Sequence, residues 1–361
     1  MTLPPLLVGG RIERLRSLLV EHDVDALVVH RLVDVRWLTG FTGSAGTVVV
    51  AHDEAVLVTD ARYRDRAEAE LLAAGADARL LIAGHDEQAQ RISSLVGRGA
   101  VGVDETAVSW AQARRLDADG SGQVVPLPPL VPRLRERKDA AELARMRAAA
   151  RIADAALAEV RPLLGAGATE RDVARALDRA MEDRGADGPG YGTIVASGPN
   201  SALPHATPCG RRIERGDLVV IDVGAEVDGY RSDMTRTFVV GAPDTEQQRL
   251  LDLVLEAQQA AIARVAVGVS ARSIHRAAAE VFAEAGLGDA FLHGVGHGVG
   301  LVIHEDPFLA RSDSPLEAGH AITVEPGLYL PEVGGVRWED LLHVGESGVE
   351  CLTAAPKTPV V

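Results

Sequence analysis

Two acids, Asp222 and Asp233, stand in the stretch Leu218-Val-Val-Ile-Asp-Val-Gly-Ala-Glu-Val-Asp-Gly-Tyr-Arg-Ser-Asp-Met-Thr-Arg-Thr237. Apolar Val219, Val220, Ile221 and Val223 surround the first of them. A carboxylate in such a setting is costly to bury unless a cation or hydrogen bonds compensate it. Asp228-Gly229 is a two-residue hairpin signal, and with that turn position 222 pairs with 235. Residue 233 then lies two places along on the same face, within reach of 222. One ion, or a pair of ions, fits between two such carboxylates. Either acid alone is more often a solvated strand charge, so the meaning of the pair depends on the rest of the chain.

Four further stretches supply partners. His293-Gly-Val-Gly-His-Gly-Val-Gly-Leu-Val-Ile-His-Glu305 holds three of the chain's 11 histidines, with glycines at 294, 296, 298 and 300. Glycines at that spacing let a backbone pass close to another strand or a bulky group. The spacing is not His-Glu-x-x-His on a helix, which excludes the ordinary single-zinc protease. In Ala321-Ile-Thr-Val-Glu-Pro-Gly327, Glu325 closes an apolar strand just before Pro-Gly. In Gly334-Gly-Val-Arg-Trp-Glu-Asp340, Glu339 is expected within a strand, flanked by Arg337 and Asp340. Ala196-Ser-Gly-Pro-Asn-Ser-Ala-Leu-Pro-His205 reads as a loop ending in an exposed histidine.

Together these give four carboxylates and one imidazole. Oxygen-rich coordination with one nitrogen suits two hard or borderline divalent ions, such as Mn²⁺, better than a thiolate site would. Two ions about 3.5–4 Å apart share bridging carboxylates and a water, and lower that water's pKa toward neutrality. The neighbouring histidines then serve as hydrogen-bond donors or proton carriers. No Gly-x-Ser-x-Gly occurs and neither Cys209 nor Cys351 lies in a motif, so a nucleophile route finds no support. A Walker-type phosphate loop is absent too.

The elements that must position these groups fall into two halves. Residues 11–22 read as a short amphipathic helix, with Ile12, Leu15, Leu18 and Leu19 on one stripe. Strands are expected at 25–29, 47–51, 55–59, 79–82 and 100–103, and helices at 62–74, 87–95 and 109–116. That alternation predicts an α/β domain. Leu127-Pro-Pro-Leu-Val-Pro132 is the clearest composition break, so the domains are expected at 1–132 and 133–361. The second half opens with a helix whose Asp139 and Glu142 have capping-box spacing, and another helix starts at Thr169. After the 218–240 ribbon, helices begin at Thr245 and Ser270, and Gly-rich strands and loops follow from 293. Two helices and a ribbon, twice over, suggest an internal duplication.

At 361 residues, two domains are the default. A net charge of −15 argues against a nucleic-acid partner, because such binders carry basic patches. Two distant cysteines form no disulfide framework. No signal peptide or membrane span is read at the N-terminus, which makes a cytoplasmic location the default.

At these residues the sequence resembles the creatinase/methionyl-aminopeptidase-like metallopeptidases, family M24, with the pita-bread fold. Within them it is most similar to the Xaa-Pro aminopeptidases (aminopeptidase P) and the related Xaa-Pro dipeptidases. The resemblance implies an α/β (α+β) chain: a creatinase-like N-terminal domain, then a pita-bread domain. It implies five metal ligands in five motifs: Asp222, Asp233, His297, Glu325 and Glu339. His205 matches a histidine near the substrate amine and proton traffic, and His293 and His304 match a pair that contacts the scissile carbonyl or holds the proline side. Arg337 matches an arginine that supports a ligand Asp. The stretch 36–46 resembles the N-terminal domain of aminopeptidase P more than that of prolidase, which implies a homodimer.

Two positions depart from the family pattern: Gly190-Tyr191 stands in place of Ser-Phe, and Trp338 in place of a smaller aliphatic residue. Both are expected to alter substrate preference without touching a ligand. The resulting expectation is a peptidase with two divalent ions per subunit, Mn²⁺ first and Co²⁺ or Zn²⁺ as options. A bridging hydroxide would cleave the N-terminal residue from peptides with proline second, and Glu325 would help move the proton. A strict Xaa-Pro dipeptidase is the alternative, and a non-catalytic binding protein of the same fold is the rival from another class.

Overall fold

The structure is a computed structural model that describes residues 3–118 and 122–361. The chain divides into two compact units, Met1–Arg135 and Glu136–Val361.

Among its described residues the first unit carries six strands: β1 (Ala26–Val29), β2 (Thr47–Ala51), β3 (Ala55–Thr59), β4 (Arg79–Ile82), β5 (Val101–Asp104) and β6 (Val124–Leu127). They make one sheet in the order β4-β3-β2-β1-β5-β6. Around the antiparallel β1, β2 and β3, the pairs β3–β4, β1–β5 and β5–β6 are parallel. The consecutive apolar runs Val48-Val-Val50 and Val56-Leu-Val58 are buried throughout, as strands covered on both faces require. Helices α1 (Arg11–Glu21), α2 (Leu32–Thr39), α3 (Arg64–Ala74), α4 (His85–Val96), α5 (Trp110–Ala118) and α6 (Leu130–Arg135) intervene.

Three of these elements have no counterpart in the sequence reading. Helix α2 buries Val35, Trp37 and Leu38 beside Asp34, whose carboxylate pairs with Arg135. Strand β6 contains Pro126, which argues against a strand; it survives because β6 is the sheet edge, where a ladder N–H can be missing. Helix α6 accommodates Pro132 in its first turn, where no intrahelical N–H is required. It runs three residues past the expected end of the first domain at 132.

The second unit opens with α7 (Ala140–Val160) and α8 (Glu170–Glu182). Both begin on capping boxes, Asp139 with Glu142 and Thr169 with Asp172. Strands β7 (Gly188–Pro189), β8 (Ile194–Ser197), β9 (Leu218–Asp222), β10 (Ala225–Val227), β11 (Tyr230–Arg231) and β12 (Thr235–Val239) follow. Then come α9 (Thr245–Ile262) and α10 (Ala271–Glu284), and finally β13 (Ala321–Val324), β14 (Gly327–Leu330), β15 (Gly334–Arg337), β16 (Asp340–Gly345) and β17 (Gly348–Cys351). Leu251, Val254, Ile274, Phe282, Ile322 and Trp338 belong to its apolar core.

Two long hairpins dominate this unit. In the first, Asp228 and Gly229 both have left-handed backbone (φ 47 and 75), which the two-residue turn demands. The register set there, Val227 opposite Tyr230, runs unchanged to Thr235 opposite Asp222 and Val239 opposite Leu218. The ladder nevertheless breaks between β9 and β10, so the two ends belong to different sheets. The second hairpin behaves alike. Gly327 faces Arg337 in β14–β15, and Val324 faces Asp340 in β13–β16. One register spans its break as well, and it sets Glu325 opposite Glu339. Each hairpin thus brings a pair of acids to its break.

Candidate metal centre

All five expected ligands line one cavity of about 240 Å³, together with His205, His293, His304 and Arg337. Asp222 is the last residue of β9 and Asp233 lies in the loop-like gap before β12. Their carboxylates meet at one point: the Tyr191 hydroxyl donates to Asp222 Oδ1 and lies 2.5 Å from Asp233 Oδ1. The same-face geometry expected from the hairpin is therefore present. Glu325 directly follows β13. Glu339 is not inside a strand; it occupies the two-residue gap between β15 and β16. That gap lets its carboxylate leave the ladder and turn into the cavity.

His297 sits where the Gly-rich segment packs against β13. A Cβ on Gly296 would stand 2.0 Å from Thr323 O, so only glycine permits this approach. His297 Nδ1 bonds Gly298 O at 3.0 Å, which makes Nδ1 the protonated nitrogen and leaves Nε2 facing the acids. Nε2 lies 3.3 Å from Glu325 Oε1 and 3.7 Å from Asp233 Oδ2. Ligand atoms of Asp233, His297 and Glu339 all fall within 4.8 Å of one another. The acids are individually fixed. Arg337 donates to Asp222 Oδ2 at 2.7 Å, and Thr235 Oγ1 donates to Glu339 Oε2 at 2.7 Å. Thr323 Oγ1 donates to Glu325 Oε1 at 3.3 Å.

The electrostatics call for a cation. Burial, then the charges of Asp222 and Glu325, hold Asp233 well above the usual carboxylate range. Burial, then Asp233, Glu325 and Asp222, do the same to Glu339. Burial would lower His297, but the bond and charge of Glu325 outweigh it and raise it to about 9. Burial would raise Glu325 too, yet His297 brings it down to about 2. Without a metal, protons must neutralise such a cluster; a divalent ion does the same work without them. The donor set, oxygen-rich with one oriented imidazole nitrogen, fits divalent ions.

The other histidines stand around this cluster. His293 Nδ1 donates to Gly294 O (2.8 Å), and its Nε2 accepts from Tyr329 Oη (2.9 Å), which itself accepts from Arg337 (2.7 Å). Burial lowers the pKa of His293, consistent with a neutral ring fixed at both nitrogens. His304 is exposed and meets the His297 ring edge-on at 4.4 Å, and burial followed by the His297 charge lowers its pKa. His205 is exposed at the cavity wall. Asp222, Thr235, Tyr329 and Pro204 O take four of the five N–H groups of the Arg337 guanidinium, so it buttresses Asp222.

The two departures from the family pattern resolve differently from expectation. Tyr191 touches two of the acids, so it belongs to the centre itself. Trp338 points the other way: it is buried in the apolar core and its Nε1 donates to Leu251 O at 3.2 Å. Arg337 and Glu339 line the cavity, and Trp338 between them turns into the core. Tyr329, Phe308 and Arg311 also line or support the cavity and were missed. Only Tyr329 carried a signal, two residues after the Pro-Gly that follows Glu325.

A buried pocket of acids around one histidine, on paired bent hairpins, defines a divalent-metal site in the second unit. Comparison with known proteins agrees. Residues 144–346 match metallopeptidase family M24, and residues 11–137 match the creatinase/prolidase N-terminal domain. A Xaa-Pro dipeptidase of Pyrococcus furiosus is 35% identical over 346 residues, covering 95% of this chain and 97% of that one. The structure of a Xaa-Pro dipeptidase from Bacillus anthracis is similar with a TM-score of 0.92 at 35% identity, covering 98% of this chain and 100% of that one. An X-Pro aminopeptidase from Thermotoga maritima MSB8 gives 0.86 at 33% identity, covering 97% and 100%. The chain belongs to metallopeptidase family M24. It is a hydrolase of that family, with a creatinase-type N-terminal domain and a pita-bread C-terminal domain.

Proposed function

We propose that this chain is a metal-dependent Xaa-Pro dipeptidase. The observation that carries the reading is the convergence of Asp222, Asp233, His297, Glu325 and Glu339 in one cavity. These five would hold two divalent ions, with Mn²⁺ favoured and Co²⁺ or Zn²⁺ compatible with the donors. Such ions supply a water of near-neutral pKa and polarise a carbonyl oxygen.

The chain's own groups do the rest. Glu325, between His297 and the cavity, is placed to take a proton from the attacking water and pass it to the leaving proline nitrogen. His205 and His304, exposed at the cavity wall, would hold the substrate amine and carbonyl, and His293 would hold the proline side. Tyr191 and Arg337 orient the acids.

Substrate length turns on Arg311. Its exposed guanidinium lies 5.7 Å over the Phe308 ring, and both line the cavity. In a dipeptide the free carboxylate lies one residue from the scissile bond, so a guanidinium in the same cavity can pair with it. A longer peptide brings a neutral amide to that place. The similarity to Xaa-Pro dipeptidases of P. furiosus and B. anthracis supports this order, which puts the dipeptidase ahead of the aminopeptidase that the sequence placed first. The aminopeptidase reading is kept by the T. maritima relative. A homodimer, implied by the family resemblance, forms part of the proposal and is checked by light scattering.

A length series from Ala-Pro to Ala-Pro-Gly-Gly, assayed with added Mn²⁺, separates the two. Cleavage of Ala-Pro alone is expected. Equal cleavage of the tetrapeptide would transfer the assignment to the aminopeptidase, and no cleavage of either would overturn both.

A further inference from the structure

Outside the acid cluster, one side chain gathers an unusual number of donors. Glu170 is fully buried at the first turn of α8. Its Oε1 accepts from Ser197 N (2.7 Å), Ser197 Oγ (2.8 Å) and Asn200 Nδ2 (3.0 Å). Its Oε2 accepts from Cys209 N and Cys209 Sγ, both at 3.1 Å. Burial raises its pKa, but the bonds from Cys209, Ser197 and Asn200 outweigh this and leave it lowered. The residue is therefore a charged acceptor, compensated by these hydrogen bonds and by the nearby Arg211 guanidinium, which donates to Ser197 Oγ at 2.7 Å.

The donors are not scattered. Ser197 ends β8 and begins the loop that carries His205; Cys209 is where that loop returns. One carboxylate thus ties both limbs of the loop together at its neck. The returning limb also caps α8 directly, because Arg171 N donates to Cys209 O and Glu170 N to Arg211 O. Beyond the neck, the loop touches the metal-site hairpin, where Gly335 N donates to Ser201 Oγ at 2.9 Å. His205 itself is exposed and its ring makes no hydrogen bond among the described residues, so the course of the loop, held also by Arg337 at Pro204 O (3.3 Å), decides where its ring stands.

We propose that Glu170 is a positioning residue for the reaction: by closing the neck of the 197–209 loop it sets the place of His205 at the wall of the metal cavity. The inference rests on the proposed peptidase reading for its kinetic consequence, and on geometry alone for its structural one. Loss of the carboxylate leaves five donors without their acceptor, and the loop must open to hydrate them.

The test is a double-mutant cycle on the metal-loaded protein, read by proline release from Ala-Pro and by amide hydrogen exchange. Glu170→Ala is expected to lower kcat/KM at least 10-fold while metal content stays at the wild-type level. Combined with His205→Ala, it should lower kcat/KM no further than His205→Ala does alone, to within about threefold. Glu170→Gln, which keeps one carbonyl acceptor for Ser197 and Asn200, should recover part of the loss. Exchange should quicken across 198–208 in Glu170→Ala and at Gly335, whose N–H the loop holds, and stay unchanged in β13 and β16. Fully multiplicative losses with His205→Ala, or unchanged exchange across 198–208, would overturn the proposal. If the wild-type protein releases no proline, the peptidase reading fails, while the exchange arm still decides whether Glu170 closes the loop.

Discussion

The Tyr191 hydroxyl lies 2.5 Å from Asp233 Oδ1, although 42 positions separate the two residues in sequence. The same hydroxyl reaches Asp222. Burial, then the charges of Asp222, Asp233 and Glu339, hold the phenol well above its ordinary pKa, so it stays a donor. It has one proton for the two acids, of which Asp233 is buried. In the metal-free protein it thus compensates a pair that repels itself, beside the Arg337 guanidinium, which lies 2.7 Å from Asp222 Oδ2.

Tyr191→Phe removes that donor and keeps the ring. Leaving a buried acceptor unsatisfied costs about 1–3 kcal/mol. The metal-free variant is expected to melt several degrees below the metal-free wild type. With saturating Mn²⁺ the difference should shrink, because the ions then compensate the acids. Differential scanning calorimetry with and without metal reads this directly. An equal deficit in both states would place Tyr191 in packing rather than in the metal centre.

Arg311→Ala tests the length argument. A charge-assisted hydrogen bond contributes roughly 1.5–3 kcal/mol, or about 10- to 150-fold in affinity. KM for Ala-Pro should rise by a factor of that order. KM for Ala-Pro amide, which lacks the carboxylate, should hardly move. Parallel changes for the two substrates would remove Arg311 from carboxylate recognition.

Stability toward acid should depend on His320. The ring is buried, and its Nδ1 accepts from Glu317 N at 3.3 Å. Burial, reinforced by Lys138 and Arg137, lowers its pKa from 6.5 to about 4. The folded state therefore resists a proton that the unfolded chain accepts. Its contribution is fully present above pH 6.5 and is lost as pH falls from about 6.5 to about 4; it amounts to no more than about 3 kcal/mol. His320→Asn should flatten the decline in stability of the metal-free protein across that window, as urea unfolding at stepped pH would show. A decline as steep as that of the wild type would assign the acid sensitivity elsewhere.

What the sequence made legible followed periodicity. A two-residue turn at Asp228-Gly229 fixes a register, and a constant register carries the pairing of Asp222 with Thr235. The breaks in the hairpins were not legible, because they arise where each ribbon passes from one sheet to another. Hence Glu339 was expected inside a strand. Tyr191 was misjudged for a related reason. It reaches the acids because Gly190 N bonds Gly224 O and β7 pairs with β10, both of which are tertiary facts. Strand β6 was hidden by Pro126, whose cost vanishes only at a sheet edge.

The central claim is that Asp222, Asp233, His297, Glu325 and Glu339 would hold two divalent ions, and that the chain so loaded would cleave Xaa-Pro dipeptides. The most direct measurement is a titration of metal-free protein with Mn²⁺, following proline release from Ala-Pro at each increment. The account predicts no release without metal and a rate that saturates near two equivalents per chain. It also predicts that Asp222→Ala binds fewer ions and releases no proline at any of these levels. Full turnover in Asp222→Ala, or none in the wild type at any metal level, would contradict it.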